Sequence, residues 1–426
     1  MTDSDRTRQG SQFAIFEYMV IAAAAVFLLI MTSPNPTGTN TKSRLATVER
    51  LVHAGTFCID ESCFETIDQV YVDGRFLSSK PPVLPTLMAG EYWVLYHVFG
   101  YDIRDEEESR VVIKILTLTF MGLPFIVYLL LLRTALNWYI KDGAVRLVML
   151  IAGAFCNHAM GMAITVNNHV PAGATLFAAG FLCLGLVYEK IPRRPLWFVV
   201  AGLLIATASI LEFWCLLFVP FFLVYLVSRT GWRSLGWCVL GVLPMAVLHL
   251  ALTYGTLGTF LPAYLYPEWY KYPGSYWLEP LKTDALREPK YTYFFNMMFG
   301  FRGEFSHYPM LLVSALAVIL AWRDREFPLR SEVLGVGSAV LFSIAINCAA
   351  TNNYGGCSPA FRGFIHFSPL FLSIGALSLD RIRHKWQWIV VAVLLAASAA
   401  SMVQCVNRPW TCRPSWVSVF FKGPEM

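Results

Sequence analysis

The residues best suited to chemistry gather ahead of residue 83. Asp60, Glu61, Glu65, Asp68 and Asp73 crowd one short stretch, and Ser79–Lys80–Pro81–Pro82 follows it. The two prolines force an extended or turn backbone around Lys80. A carboxylate in such company can deprotonate or orient an acceptor hydroxyl. A lysine can hold a phosphate as charge develops on it during departure. Asp68 and Asp60 are the candidate bases. Asp68 is preferred because it lies between a helix-like stretch and Lys80 and can fold back over a site. Asp73 stands beside Gly74 and reads more simply as a turn. The alternative for the whole group is a solvated, acid-rich loop surface.

Other cations and polar groups stand at the ends of apolar runs. Arg302 lies in Phe299–Gly300–Phe301–Arg302–Gly303–Glu304–Phe305, and Arg362 closes a segment that carries Tyr354–Gly355–Gly356. The glycines there permit close backbone approach. Lys80, Arg302, Arg362, Arg44, His169 and Tyr354 form the candidate substrate- and phosphate-binding set. Headgroup snorkelling is the competing account of the arginines. Asn167–Asn168–His169 precedes Pro171, so helix capping competes for that corner. Glu212 sits between two apolar runs with almost no loop. An acid there is costly and normally has a partner. Tyr264, Tyr266, Trp269, Tyr270, Tyr272, Tyr276 and Trp277 crowd one loop, as sugar-stacking faces or as interfacial anchors. No CxxC or Cys/His spacing marks a metal site, and no metal ligands are assigned.

The elements that must position these residues are membrane spans. Of 426 residues, 56% are hydrophobic and 14% charged, with a formal charge of +5. That balance rules out a soluble enzyme, a disordered chain and a nucleic-acid binder. About eleven apolar runs are readable, near 13–32, 111–132, 145–163, 170–188, 195–210, 212–228, 234–253, 308–322, 333–350, 364–379 and 387–404. The first is too long for a cleavable leader and lacks a small-residue cleavage site. Arg133, Lys141 and Arg146, then Lys190, Arg193 and Arg194, then Arg229 and Arg233, Arg323 to Arg330, and Arg381 to Lys385 fall in the short loops of one side. The positive-inside rule makes that side cytoplasmic and the N-terminus inside. The long loops, 33–110 and 254–307, then lie outside, and chemistry is expected on that face. The fold class is an all-α polytopic membrane protein forming a single unit over 1–426. The first outer loop, 33–110, carries interfacial helices at Leu45–Ala54 and 83–100. Cys58 with Cys63 and Cys405 with Cys412 can form local disulfides in an oxidising compartment, or remain thiols.

This arrangement resembles the GT-C superfamily of membrane glycosyltransferases. The nearest likeness is to its protein mannosyltransferase-like and lipid A aminoarabinose transferase-like branch. Ser43–Arg44–Leu45–Ala46–Thr47–Val48–Glu49 through Gly55–Thr56–Phe57 is similar to that branch's surface helix. Ser79–Lys80–Pro81–Pro82–Val83–Leu84 is similar to its Asp-Lys-Pro-Pro-like segment, with Ser79 in place of the Asp. Arg302–Gly303 through Tyr308–Pro309 and Tyr354–Gly355–Gly356 through Phe361–Arg362 resemble outer-loop segments of related chains. The resemblance implies transfer of a hexosyl or pentosyl unit from a polyprenyl-phosphate carrier to a lipid, glycan or protein acceptor, without nucleic acid. The expected location is a bacterial-type inner membrane, with the active face outside the cytoplasm. No cofactor is assigned; the resemblance implies a divalent metal in some members. Thr41–Lys42 departs from the family, which has an acid just before the surface helix. A relocated base or lost activity would each explain that, and a transporter or flippase is the reading from another class.

Overall fold

The computed structural model describes residues 3–280, 288–351, 353–411 and 415–421, with side chains described from Gln12 onward. The chain is an integral, multi-pass helical membrane protein. Eight helices among the described residues are long and apolar enough to cross a membrane: Gln12–Met31, Glu106–Tyr139, Gly143–Met162, His169–Val187, Phe213–Thr230, Arg233–Leu257, Arg330–Ala350 and Lys385–Asn407. Three shorter apolar helices, Pro195–Leu211, Pro309–Arg323 and Ser368–Leu379, occupy the remaining apolar runs. All three are shorter than the roughly 20 residues that an untilted span needs.

Local chemistry sets the helix ends. The Asp105 side chain accepts from the backbone N–H groups of Glu107 and Glu108, and three acids fill the first turn of Glu106–Thr117. Both features favour a helix N-terminus. The helix passes through a π-turn at Leu118–Gly122 before Leu123–Tyr139, which has a proline in its first turn. Proline has no N–H to give the preceding turn, and the wider turn accommodates the break.

The long segment between the first two spans is ordered. Its helix begins at Thr39, not at Leu45, and runs to Ala54, ending at Gly55 in the left-handed region. Apart from Lys42, residues 41–49 are buried, so this helix is packed into the protein. A two-stranded hairpin follows, Gln69–Val72 against Arg75–Ser78, which the sequence did not suggest. Asp73 and Gly74 both have positive φ, 48° and 80°, as a two-residue hairpin turn demands. Val83–Phe99 is helical up to Gly100 and exposes Leu87, Trp93, Val94, Val98 and Phe99. The aromatic loop lies on the hairpin: Leu257, Ala263, Trp269 and Tyr270 pack on Val70, Val72 and Leu77. Tyr266 stacks on Trp269 with ring centroids 4.1 Å apart.

Glu17, buried in the first span, is paired to Arg133 and Arg146, each with Nε 3.0 Å from a carboxylate oxygen. It is a structural ion pair at the end of the bundle where the short basic loops lie. Cys58, Cys63 and Cys405 are free thiols, so neither local disulfide forms; Cys412 lies outside the described residues. Cys405 is buried, with its Sγ turned onto Gly161. Cys357 is disulfide-bonded.

The tightest helix crossing joins Pro195–Leu211 to Arg233–Leu257. A Cβ on Gly202 would overlap the Cys238 carbonyl, and one on Gly241 would overlap the Val199 carbonyl. Small residues let two backbones approach where lipid gives helices no hydrophobic drive to associate. Gly241→Val should lower stability by about 1–3 kcal/mol or more, read as a fall in thermal midpoint in detergent. An unchanged midpoint would show that the crossing is not this close.

Candidate functional site

One end of the bundle collects the polar groups. Lys80 leaves the hairpin just before Pro81 and turns inward. Its Nζ lies 2.9 Å from Asp68 Oδ1. Thr39 Oγ1 donates to the other oxygen, Oδ2, at 2.9 Å. The base of the hairpin is stitched to the helix beneath it: Ser43 Oγ donates to the Asp68 carbonyl at 2.6 Å and lies 2.6 Å from Ser78 Oγ. The Ser79 N–H donates to the same Asp68 carbonyl at 3.2 Å. Burial pushes the Asp68 carboxyl up, but Lys80, Thr39 and Arg362 together hold it below the ordinary carboxylate range. Burial pulls the Lys80 ammonium down, Asp68 resists, and the positive charges of Arg44 and Arg362 add to the fall.

Arg44 is the second cation. It projects from the helix Thr39–Ala54 and is only 2% exposed. Nη1 donates to the Asn40 carbonyl at 2.9 Å, and Nη2 donates to Asn168 Oδ1. Asn168 passes the contact on: its Nδ2 donates to Glu212 Oε2 at 2.6 Å and to the Leu211 carbonyl at 2.9 Å. His169 Nδ1 lies 2.7 Å from the same Glu212 oxygen. Glu212 therefore has its partner, and the corner at 167–169 does more than cap a helix. Asn167 does the capping, its Oδ1 accepting from the Val170 N–H at 2.9 Å. Burial lowers the Arg44 guanidinium to about 10, against the pull of Asp68 and Glu212 and with a further push from Arg362.

Arg362 opens the turn Arg362–Phe364 and lies near enough to act electrostatically on Arg44, Asp68, Lys80 and His169. Its guanidinium carbon is 5.1 Å from the centre of the Trp410 ring. The preceding loop is anchored from below. Arg302 Nη1 donates to the Ser358 carbonyl and, at 3.3 Å, to that of Thr411. His158 Nε2 lies 3.1 Å from Ser358 Oγ, while its Nδ1 faces the buried Glu304 at 3.3 Å.

The expected residues thus divide. Lys80, Asp68, Arg44, Arg362 and His169 come together. Arg302, expected on the phosphate, instead donates to the Ser358 carbonyl of the loop that carries Arg362 and to the Thr411 carbonyl. Asp60 is exposed and accepts from the Phe76 N–H at 2.7 Å, fastening the hairpin. Tyr354 donates to Glu288 and packs on Tyr293 with the rings inclined at 41°, away from the Lys80–Asp68 pair. Sequence reasoning missed Thr39, Ser43 and Asn168 as links, and missed His366 altogether. His366 begins what reads as an apolar run; a lone imidazole at the head of such a run was its only signal.

His169, Glu212 and His366 each bring one metal-competent atom within 4.8 Å of the others. Two imidazoles and a carboxylate suit a divalent transition metal, so the residues present fit the metal that the resemblance allows. A cavity of about 730 Å³ lies toward the other end of the bundle, walled by residues such as Leu132, Phe181, Phe221 and Phe342. It belongs to a different region from this site.

No protein-family model matches the chain, and no curated protein sequence matches it. Solved structures do. The chain is similar to ArnT from Cupriavidus metallidurans in the apo state, with a TM-score of 0.53, 14% identity, and coverage of 88% of this chain and 61% of that one. Against ArnT bound to undecaprenyl phosphate the TM-score is 0.55 at 15% identity, with 90% and 63% covered. The archaeal oligosaccharyltransferase AglB from Archaeoglobus fulgidus aligns with a TM-score of 0.47 and 14% identity over 94% of this chain and 56% of its own, too loosely to carry an argument. The chain spans less than two thirds of the length of ArnT. At these identities the likeness is one of fold: the chain shares the polytopic helical architecture of ArnT.

Proposed function

We propose that this chain is a glycosyltransferase that moves a hexosyl or pentosyl unit from a polyprenyl-phosphate carrier to an acceptor hydroxyl. One observation carries the reading. Lys80, Arg44 and Arg362 come from three separate elements and lie close enough that Arg362 disfavours the charge on Arg44, and both arginines disfavour that on Lys80. Asp68 and Glu212 offset part of the cost of like charges converging in a poorly solvated site, and a phosphate on a membrane lipid would offset more. The fold likeness to ArnT, which has been solved with undecaprenyl phosphate bound, supports the same ligand class.

The chemistry would be a single displacement. The bond from the anomeric carbon to the phosphate oxygen breaks, and its electron pair leaves with the phosphate. Lys80, Arg44 and Arg362 hold the growing charge. A bond forms from the acceptor oxygen to the anomeric carbon, and a carboxylate takes the acceptor's proton. Asp68 is the carboxylate we assign. In the resting protein its oxygens are engaged by Lys80 and Thr39. A phosphate that draws the Lys80 ammonium away frees Oδ1 for the acceptor hydroxyl. Donor binding and base release would then be one event. Asp60, engaged with the hairpin backbone, is left out of the mechanism.

We place this end of the bundle outside the cytoplasm, in a bacterial-type inner membrane. The short basic loops, with Arg133, Arg146, Arg229 and Arg381, all lie at the other end. Acceptor class, whether lipid, glycan or protein, is left to the assay.

A second reading has one observation in its favour. At the position where the related enzymes carry an acid, Thr41 Oγ1 donates to the Val166 carbonyl at 2.9 Å and offers no base. A lipid-phosphate binder without turnover would look the same there. A discharge assay separates the two: purified protein is mixed with a panel of polyprenyl-phosphate sugars, and free polyprenyl phosphate is followed by mass spectrometry. Release is expected, and Lys80→Ala should slow it on the order of 100-fold. Release unaffected in Lys80→Ala would sink the phosphate assignment. Saturable donor binding without release would establish the binder.

The two acids give separate expectations. Asp68→Asn should abolish release while leaving donor binding measurable. Asp60→Ala should leave the rate per folded molecule unchanged and lower only the folding stability, by about 1 kcal/mol for the lost contact to the Phe76 N–H, read as a fall in the thermal midpoint. Full turnover in Asp68→Asn would remove Asp68 from the chemistry.

A further inference from the structure

The helix His169–Val187 begins with an imidazole and carries Gly173 one turn later. A Cβ at Gly173 would stand 3.1 Å from the His366 Cα and 3.3 Å from its carbonyl oxygen. The glycine lets the backbone at 365–366 close onto the first turn of that helix. The consequence is a pair of parallel rings: His169 and His366 lie with centroids 6.0 Å apart and planes inclined at 23°. Glu212, at the break between Pro195–Leu211 and Phe213–Phe218, completes the group from a third element.

His366 is fully buried, and among the described residues neither of its ring nitrogens has a hydrogen-bond partner. A neutral imidazole has one donor and one acceptor, and leaving both unmet in a packed interior is costly. A metal ion would use one of them. The carboxylate is also prepared for the role. Asn168 Nδ2 donates to Glu212 Oε2 at 2.6 Å, and Asn168 is in turn held by Arg44. Such outer contacts orient a ligand and tune its affinity. Arg44 and Arg362 stand nearby as positive charges. A bare cation would be opposed by them, whereas one carrying an anion in its open coordination position would not.

We propose that His169, Glu212 and His366 bind one zinc-class divalent cation, with a coordination position left for water or an anion. Two histidines and one carboxylate are a ligand set known to hold zinc with such an open position. The His169–Glu212 contact of 2.7 Å opens to admit the ion. This site does not depend on the transferase reading: it is defined by metal affinity alone and stands or falls apart from turnover.

The test uses the full-length protein in detergent, stripped with chelator and titrated with zinc alone. Metal content after desalting is read by elemental analysis, and affinity by calorimetry. One zinc per chain is expected. Glu212→Gln, which preserves shape, and His366→Ala should each weaken binding by more than about 100-fold, and Asn168→Ala by about 10–100-fold. Cobalt(II) in the same site should give a four-coordinate visible spectrum without a thiolate charge-transfer band, which distinguishes it from binding by the free cysteines. No retained zinc in the wild type would overturn the proposal. So would equal affinity in Glu212→Gln and His366→Ala, or a thiolate band with cobalt.

Discussion

Asn168 is the joint on which the polar end of this molecule depends. A charge buried in a helical bundle costs several kcal/mol unless it is paired and hydrogen-bonded. Arg44 and Glu212 are both buried, and they sit on elements far apart in sequence. The Asn168 amide serves both, accepting from Arg44 with its oxygen and donating to Glu212 with its nitrogen. Its Nδ2 also satisfies the Leu211 carbonyl, which the helix break at Glu212 leaves without an intrahelical donor. One neutral side chain thereby ties the buried first-loop helix, the start of one span and the corner between two others. An aspartate there would add a second acid beside Glu212, and an alanine would take one hydrogen bond from each ion, leaving Arg44 on Asn40 and Glu212 on His169.

The same economy governs the supporting tier. Arg302 and His158 both terminate on Ser358, one on its carbonyl and one near its hydroxyl. They hold the loop that ends in Arg362. Gly355, at φ +81°, brings the backbone to 3.2 Å from the Arg362 Cβ by the measure of a Cβ placed there. An arginine whose position is determined this way loses less freedom on meeting a ligand than one extended from a mobile loop. The aromatic loop plays a comparable part for Lys80. Trp269 and Tyr270 pack on the hairpin that carries it.

Much of the architecture was legible because bilayer spans are the least ambiguous signal a sequence carries. Backbone groups in hydrocarbon must be satisfied within the segment, so helices announce themselves by length and apolarity. The first-loop helix was less legible. Leu45, Val48 and Leu51 show the helical period, but Thr39 to Arg44 are polar and look like an approach to it. They are helical because their polar side chains are used: Thr39 on Asp68, Thr41 on Val166, Ser43 on the hairpin and Arg44 on Asn168. Periodicity registers apolar faces and is silent about a face buried through hydrogen bonds. Lys80 with Asp68 was readable from spacing, since only a hairpin's reach separates them. Asn168 with Glu212, and His366 with His169, were not. The second pair is set by a close approach at Gly173, and a glycine in an apolar run does not say which backbone will approach it; the first joins a helix start to a helix break some forty residues on, which no local pattern announces.

The pairing of Lys80 with Asp68 also bears on how such a site avoids idle chemistry. A free carboxylate beside a reactive glycosyl phosphate could activate water as readily as an acceptor. In the resting structure that carboxylate is neutralised on one oxygen by an ammonium and on the other by the Thr39 hydroxyl, and it is held below its ordinary range. A carboxylate so stabilised is a poor base. Only a competing anion can detach the ammonium, because neither water nor a neutral sugar offers Lys80 an equivalent charge. Arg44 and Arg362 strengthen this gating: their fields raise the affinity of the site for an anion while disfavouring the protonated lysine in its absence. The base would thus become competent only when a phosphate occupies the site. Under the proposed function, an ion pair that looks merely structural at rest would couple donor recognition to proton removal.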